Sequence, residues 1–151
     1  VQDLSAISAF RNISSLLGTA GQPLANEFAC IRAAGYQVVI NLALTTSVNA
    51  IPEERSIVEA LGMEYIHLPI EWESPTIAQL QQFFGMLQAR ADRPVFVHCA
   101  ANKRVSVFIY LYRILILGID PSVAAVDLHA IWQPNEIWSQ FIDSALGAGH
   151  R

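Results

Sequence analysis

A short β-branched and aromatic run, Val95-Phe96-Val97, leads directly into His98-Cys99, and a long apolar run begins at Val105. This stretch leaves the chain few choices. The first run follows Pro94 and is apolar at every position, the pattern of a strand covered on both faces. The second, Val105 to Leu117, reads as a buried helix and is interrupted by Arg113. Between them there is room only for a tight loop. A cysteine at the end of a strand and ahead of a helix N-terminus sits where the helix dipole and free N–H groups favour negative charge, on sulfur or on a bound oxyanion.

The rest of the chain alternates in the same way. Val1 to Phe10 reads as a short packed helix or a frayed terminus, and Arg11 to Ala20 as one or two short edge strands. Gly21-Gln22-Pro23 is a turn, and Leu24 to Ala34 carries an apolar stripe that stops at Gly35. Tyr36 to Leu42 is a strand around Val38-Val39-Ile40. Pro52 opens a helix with Glu53 and Glu54 in its first turn, where the dipole favours them, and Gly62 ends it. Met63 to Ile70 is the next strand. A third helix is expected from Pro75 or Thr76 to Ala91, another from Asp120-Pro121 to about His129, and a last one from Glu136 to Leu146, with 147–151 fraying.

Strands alternating with helices predict an α/β fold with a mainly parallel sheet of four or five strands and helices on both faces. The 151 residues suit a single domain, 1–151. In such sheets ligands sit at the carboxyl ends of the strands. Cys99 and Glu71 both follow such ends and are placed to share a cleft.

Composition removes several function classes. Apolar residues are 53% of the chain and charged ones only 15%, so much of it is buried. No run approaches the roughly 18 apolar residues of a membrane span. Net charge is −4 and there is no basic stripe, which argues against a nucleic-acid partner. Cys30 and Cys99 are the two cysteines, too few for a disulfide framework, and Cys30 reads as helix core. Apart from His98 nothing stands at zinc-ligand spacing from Cys99, so no metal and no cofactor is expected. The start at Val1 rather than Met leans towards an exported protein. Oligomeric state is not legible.

His-Cys, a short loop, arginine and a hydroxyl residue resemble the signature of the cysteine-dependent tyrosine and dual-specificity phosphatases. The chain is similar to a bacterial branch of them related to the phosphatase-like domain of β-lactamase-hydrolase-like proteins. Thr19-Ala20-Gly21-Gln22-Pro23, Val38-Val39-Ile40-Asn41-Leu42 and Tyr65-Ile66-His67-Leu68-Pro69-Ile70 carry the same resemblance, over roughly residues 10 to 118. It implies a nucleophilic Cys99 and a cradle of loop amides from Ala100, Ala101, Asn102, Lys103 and Val105. It also implies that His98 orders the loop and that Ser106 assists the thiolate. Asn102 stands where the family has glycine, and asparagine tolerates positive φ better than most residues. The family arginine lies six positions after the cysteine, which is Val105 here. Either the clamping arginine is absent, or the loop is one residue shorter and Arg104 fills its place. Arg104 is thus a clamp or a solvated neighbour of Lys103, the only lysine in the chain.

A phosphatase needs an acid for the leaving oxygen. The resemblance puts an aspartate in the loop after Pro69, where this chain offers Glu71 and Glu73, with Trp72 as a wall for a flat substrate. His67, His129, Trp132 and Trp138 read as structural. Three functions follow. One is a phosphomonoesterase acting through a cysteinyl-phosphate on a phosphorylated substrate. Another is a rhodanese-type sulfurtransferase with a Cys-x4-Arg loop. The third is a silent binder of phosphate or another oxyanion.

Overall fold

The computed structural model describes residues 3–149. Five strands form one sheet: β1 (Arg11–Ser14), β2 (Leu17–Ala20), β3 (Val38–Asn41), β4 (Glu64–His67) and β5 (Val95–His98), in the order β1-β2-β5-β3-β4. Only the β1–β2 hairpin is antiparallel; β2, β5, β3 and β4 run parallel. Among the described residues six helices accompany the sheet: α1 (Glu27–Ala33), α2 (Glu54–Ala60), α3 (Ile77–Gln88), α4 (Lys103–Leu115), α5 (Pro121–Ile131) and α6 (Glu136–Gly149). The mainly parallel sheet with helices on both faces is as the alternation predicts.

Period-2 side-chain alternation divides the core between the two faces. Val38, Ile40, Val95 and Val97 point into one apolar cluster with Leu80, Phe83, Phe108, Trp138 and Phe141 from α3, α4 and α6. Val39 and Phe96 point into the other, with Phe28 and Ile31 of α1 and Val58 of α2. All four residues of β5 are 0–2% exposed, so this strand is closed on both sides. Among the described residues no helix is long and apolar enough to cross a membrane.

Four departures from the sequence reading bear on the packing or on the site. The first is in the sheet: β2 is not an edge strand but lies between β1 and β5, and all four of its residues are buried. Its Gly-Thr-Ala composition hid this, because small residues are buried by what packs over them rather than by their own hydrophobicity. Residues 3–10 form turns, not a helix, yet Leu4 and Ile7 are buried; Val1 and Gln2 lie outside the described residues. At the other end α6 continues through Gly149, and the expected fraying at 150 and 151 lies outside the described residues. The fourth matters most for the site: α4 starts at Lys103, not Val105, which puts Arg104 in its first turn.

Candidate functional site

Parallel register brings the strand ends level. Ala20 pairs with His98, His98 with Asn41, and Asn41 with His67. Cys99 therefore leaves the sheet in its middle, flanked by the chain leaving β2 and β3. Its amide donates to the Ala20 carbonyl (3.4 Å), and the residue is fully buried beside the apolar cluster under α4.

The loop from Cys99 is short and pinned on its outer side. Ala101 bridges Gly21, and the Ala100 carbonyl accepts from the Gln22 amide (3.2 Å) and from Asn49 Nδ2 (3.2 Å). That carbonyl is thereby turned towards flanking segments. Asn102 then takes φ +65°, the left-handed conformation that asparagine accepts. Its Nδ2 donates to the Ala9 carbonyl (2.9 Å) and to Thr19 Oγ1 (3.2 Å). The reversed turn starts α4 at once, and the first bond of the helix runs from the Ser106 amide to the Asn102 carbonyl (2.8 Å). The amides of Lys103, Arg104 and Val105 precede that bond, so they have no helical acceptor, and Asn102 gives them no side-chain cap. A helix N-terminus of this kind favours an anion.

Gly21 allows this approach. A Cβ there would lie 2.9 Å from the Ala100 oxygen and 3.2 Å from the Ala101 Cα, both backbone. Gly21→Ala is expected to push the Cys99 loop outward and cost about 1–3 kcal/mol of stability. A thermal melt beside the parent chain checks it; an unchanged midpoint would show that the loop gives way freely.

Arg104 is 6% exposed, so the solvated alternative is corrected. Its Nη1 donates to the Ile70 carbonyl (3.0 Å) and so ties α4 to the segment that follows β4. The sequence hid this because a Lys-Arg pair ahead of an apolar run resembles a solvated helix entry. Lys103 is only half-buried, with its Nζ 5.4 Å from the centre of the Trp132 ring.

Ser106 Oγ donates to the Lys103 carbonyl (2.7 Å) and accepts from Trp132 Nε1 (3.0 Å). Its proton is thus committed to the first turn of α4. Trp132, read as structural from sequence, is the residue that holds it. Trp72 stacks at a tilt on Trp132 (5.3 Å between ring centres) and Trp138 (5.8 Å), and its carbonyl accepts from Trp138 Nε1 (2.8 Å). Glu71 and Glu73, on either side of it, are exposed. Their loop begins next to the Ile70 carbonyl that holds Arg104, so it borders the first turn of α4.

His98 is fully buried. Its Nε2 lies 2.6 Å from Glu54 Oε2, its Nδ1 3.3 Å from the Cys99 carbonyl, and its ring meets the Phe28 ring at 60°, 6.1 Å between centres. Glu54 was not expected here. Its place in the first turn of α2 holds, but it is 3% exposed and points inward. Gln22 Nε2 donates to its other oxygen (2.7 Å). Burial pushes the Glu54 carboxyl up, but the hydrogen bond and charge of His98, with Gln22 and Tyr65, outweigh that and hold it below the usual carboxylate range.

A family model described as "DSP-PTPase phosphatase fused to NAD+ Kinase" matches residues 9–142. A β-lactamase hydrolase-like protein of Agrobacterium fabrum is 32% identical over 95 residues; these are 61% of this chain but only 22% of that protein. A candidate phosphatase from Shewanella putrefaciens CN-32 superposes with TM-score 0.86 at 27% identity, over 96% of this chain and 95% of its own. P. aeruginosa TpbA shares the fold at 19% identity and TM-score 0.72, over 98% of this chain and 99% of its own; a cysteine-to-serine form of it has been solved with pTyr.

Proposed function

Because the chain belongs to the family of DSP-PTPase phosphatases fused to NAD+ kinase, we propose that it is a cysteine-dependent phosphomonoesterase. One observation carries the reading: Cys99 stands at the carboxyl edge of the sheet before the uncapped first turn of α4, and Arg104 in that turn is buried and tied to the Ile70 carbonyl. The Cys99 thiolate attacks phosphorus, and a sulfur–phosphorus bond forms as the bond to the leaving oxygen breaks. Glu71 or Glu73, protonated, gives its proton to that oxygen. Water then attacks phosphorus, the same carboxylate takes a water proton, and the thiolate departs as phosphate is released. The amides from Ala100 to Val105 and the Arg104 guanidinium hold the three equatorial oxygens, whose charge must be met throughout. His98 fixes the loop behind the sulfur. Ser106, held by Trp132, fixes the first turn and leaves the thiolate to the amides. Trp72 walls the mouth on one side, which suits a flat leaving group such as a phenol. The pTyr complex of TpbA supports a phosphorylated substrate of that kind.

A second reading rests on the four residues between Cys99 and Arg104. A loop this short also suits a persulfide, as in rhodanese-type sulfurtransferases. The two are separated by offering p-nitrophenyl phosphate and thiosulfate with cyanide to the same preparation. Hydrolysis of the ester, with a phosphorylated protein trapped by acid quench, is the expected result. Thiocyanate formation without hydrolysis would establish the second reading instead. Neither activity, with inorganic phosphate still raising the melting temperature, would leave a silent oxyanion binder.

A further inference from the structure

Behind the cysteine loop lies a buried polar network that the proposed steps do not use. Glu54 carries one hydrogen-bonded partner on each oxygen, Gln22 on one and His98 on the other. On its far side the His98 ring meets the carbonyl of Cys99. A carboxylate and a carbonyl are both acceptors only, so each ring nitrogen serves its neighbour best by carrying a proton. A neutral ring would set a bare Nδ1 lone pair against the Cys99 oxygen, or a bare Nε2 lone pair against an anionic carboxylate at 2.6 Å.

From this geometry we infer that Glu54 is a positioning residue that keeps His98 as a buried imidazolium, so that a fixed positive end faces the Cys99 loop and stabilises the thiolate. The inference rests on the phosphatase reading for its purpose, although the ion pair can be tested without turnover. The pair is neutral as a whole but oriented, with its cation nearer the loop and its anion beyond. Such a fixed dipole in a dry interior acts more strongly than the same charges in water. The other groups around the pair do not supply this charge. Tyr65 of β4, raised by burial, stays a neutral phenol; it accepts from Asn41 Nδ2 at 3.0 Å. Arg55 of α2 stacks over the outer face of Tyr65, 5.0 Å from its ring centre. Phe28 of α1 offers only an uncharged aromatic ring, and Gln22 only an amide.

Two measurements test the inference. The first uses the native chain with ¹⁵N-labelled histidine. At mildly alkaline pH the His98 ring is expected to show two protonated nitrogens. A bare nitrogen on His98 would overturn it. The second follows the ultraviolet absorbance of the Cys99 thiolate against pH, with Cys99→Ser as blank, in the parent and in Glu54→Gln. The glutamine keeps the shape and a hydrogen bond but not the charge. With the variant shown folded by near-UV circular dichroism, the thiolate midpoint is expected to move up by about one pH unit. An unmoved midpoint in the folded variant sinks the inference. Loss of the phosphatase reading has a different signature: no ester hydrolysis by the parent chain, whatever the ring and the thiolate show.

Discussion

Cys99→Ser is expected to bring hydrolysis of p-nitrophenyl phosphate to background, a loss on the order of 10⁴-fold or more, because an alkoxide is not formed at neutral pH where a thiolate is. Arg104→Lys is expected to lower kcat by about 10²–10³-fold with a smaller change in KM. The two losses have different causes. Serine removes the nucleophile while leaving the amides of α4 and the oxyanion cradle in place, so phosphate should still bind. Lysine keeps a charge but not the planar fork that can meet two equatorial oxygens at once. It also cannot reproduce the guanidinium's reach, in which one nitrogen holds the Ile70 carbonyl at 3.0 Å while the others remain to meet a ligand. Steady-state kinetics of both variants, with phosphate binding by calorimetry for Cys99→Ser, checks the pair. A fall of less than about tenfold in Arg104→Lys would mean that the guanidinium braces the 70s loop and does not grip the transition state.

Some of this site can be read directly from the residues, and the parts that cannot be share a cause. Val38-Val39-Ile40 and Val95-Phe96-Val97 announce themselves because an uninterrupted apolar run of that length suits a strand covered on both faces, which is where the structure puts them. Asn102 is legible as a left-handed residue from its chemistry alone, and its φ is +65°. Gly35, Gly62 and Gly118 mark helix ends by the same logic. What stays hidden is polar burial. Glu54 sits in an ordinary amphipathic helix, and nothing local says that it turns inward; the reason is His98, 44 positions later. Arg104 is hidden in the same way, because its partner is a carbonyl 34 positions earlier. Trp132 looks like a helix-end anchor until Ser106 is seen beneath its indole N–H. In each case the sequence shows a group whose satisfaction depends on a partner that only the tertiary fold supplies.

Glu54→Leu puts a size on that hidden pairing. Leucine is close to glutamate in volume and the position is 3% exposed, so the loss is not one of volume. What remains is His98, 0% exposed, facing a hydrocarbon at Nε2, and Gln22 Nε2 left with only the Pro23 carbonyl at 3.1 Å. Removing one partner of a buried, hydrogen-bonded ion pair costs about 3–5 kcal/mol, most of it the desolvation left uncompensated on the survivor. Deprotonation of the ring limits this loss but leaves a donor or acceptor unpaired at each end. The pH dependence gives a second reading of the same interaction. The Glu54 carboxyl is held below its ordinary value in the folded chain, so the unfolded chain binds its proton first as pH falls. Its contribution is complete above the usual carboxylate pKa and disappears as pH drops through the lowered one. Urea titrations at neutral pH and at pH values below the usual carboxylate pKa are therefore expected to show the parent losing stability in that window while Glu54→Leu, already deprived of the pair, loses less. If instead the parent and the variant decline in parallel, the His98–Glu54 contact is packing without charge, and the oriented ion pair behind Cys99 goes with it.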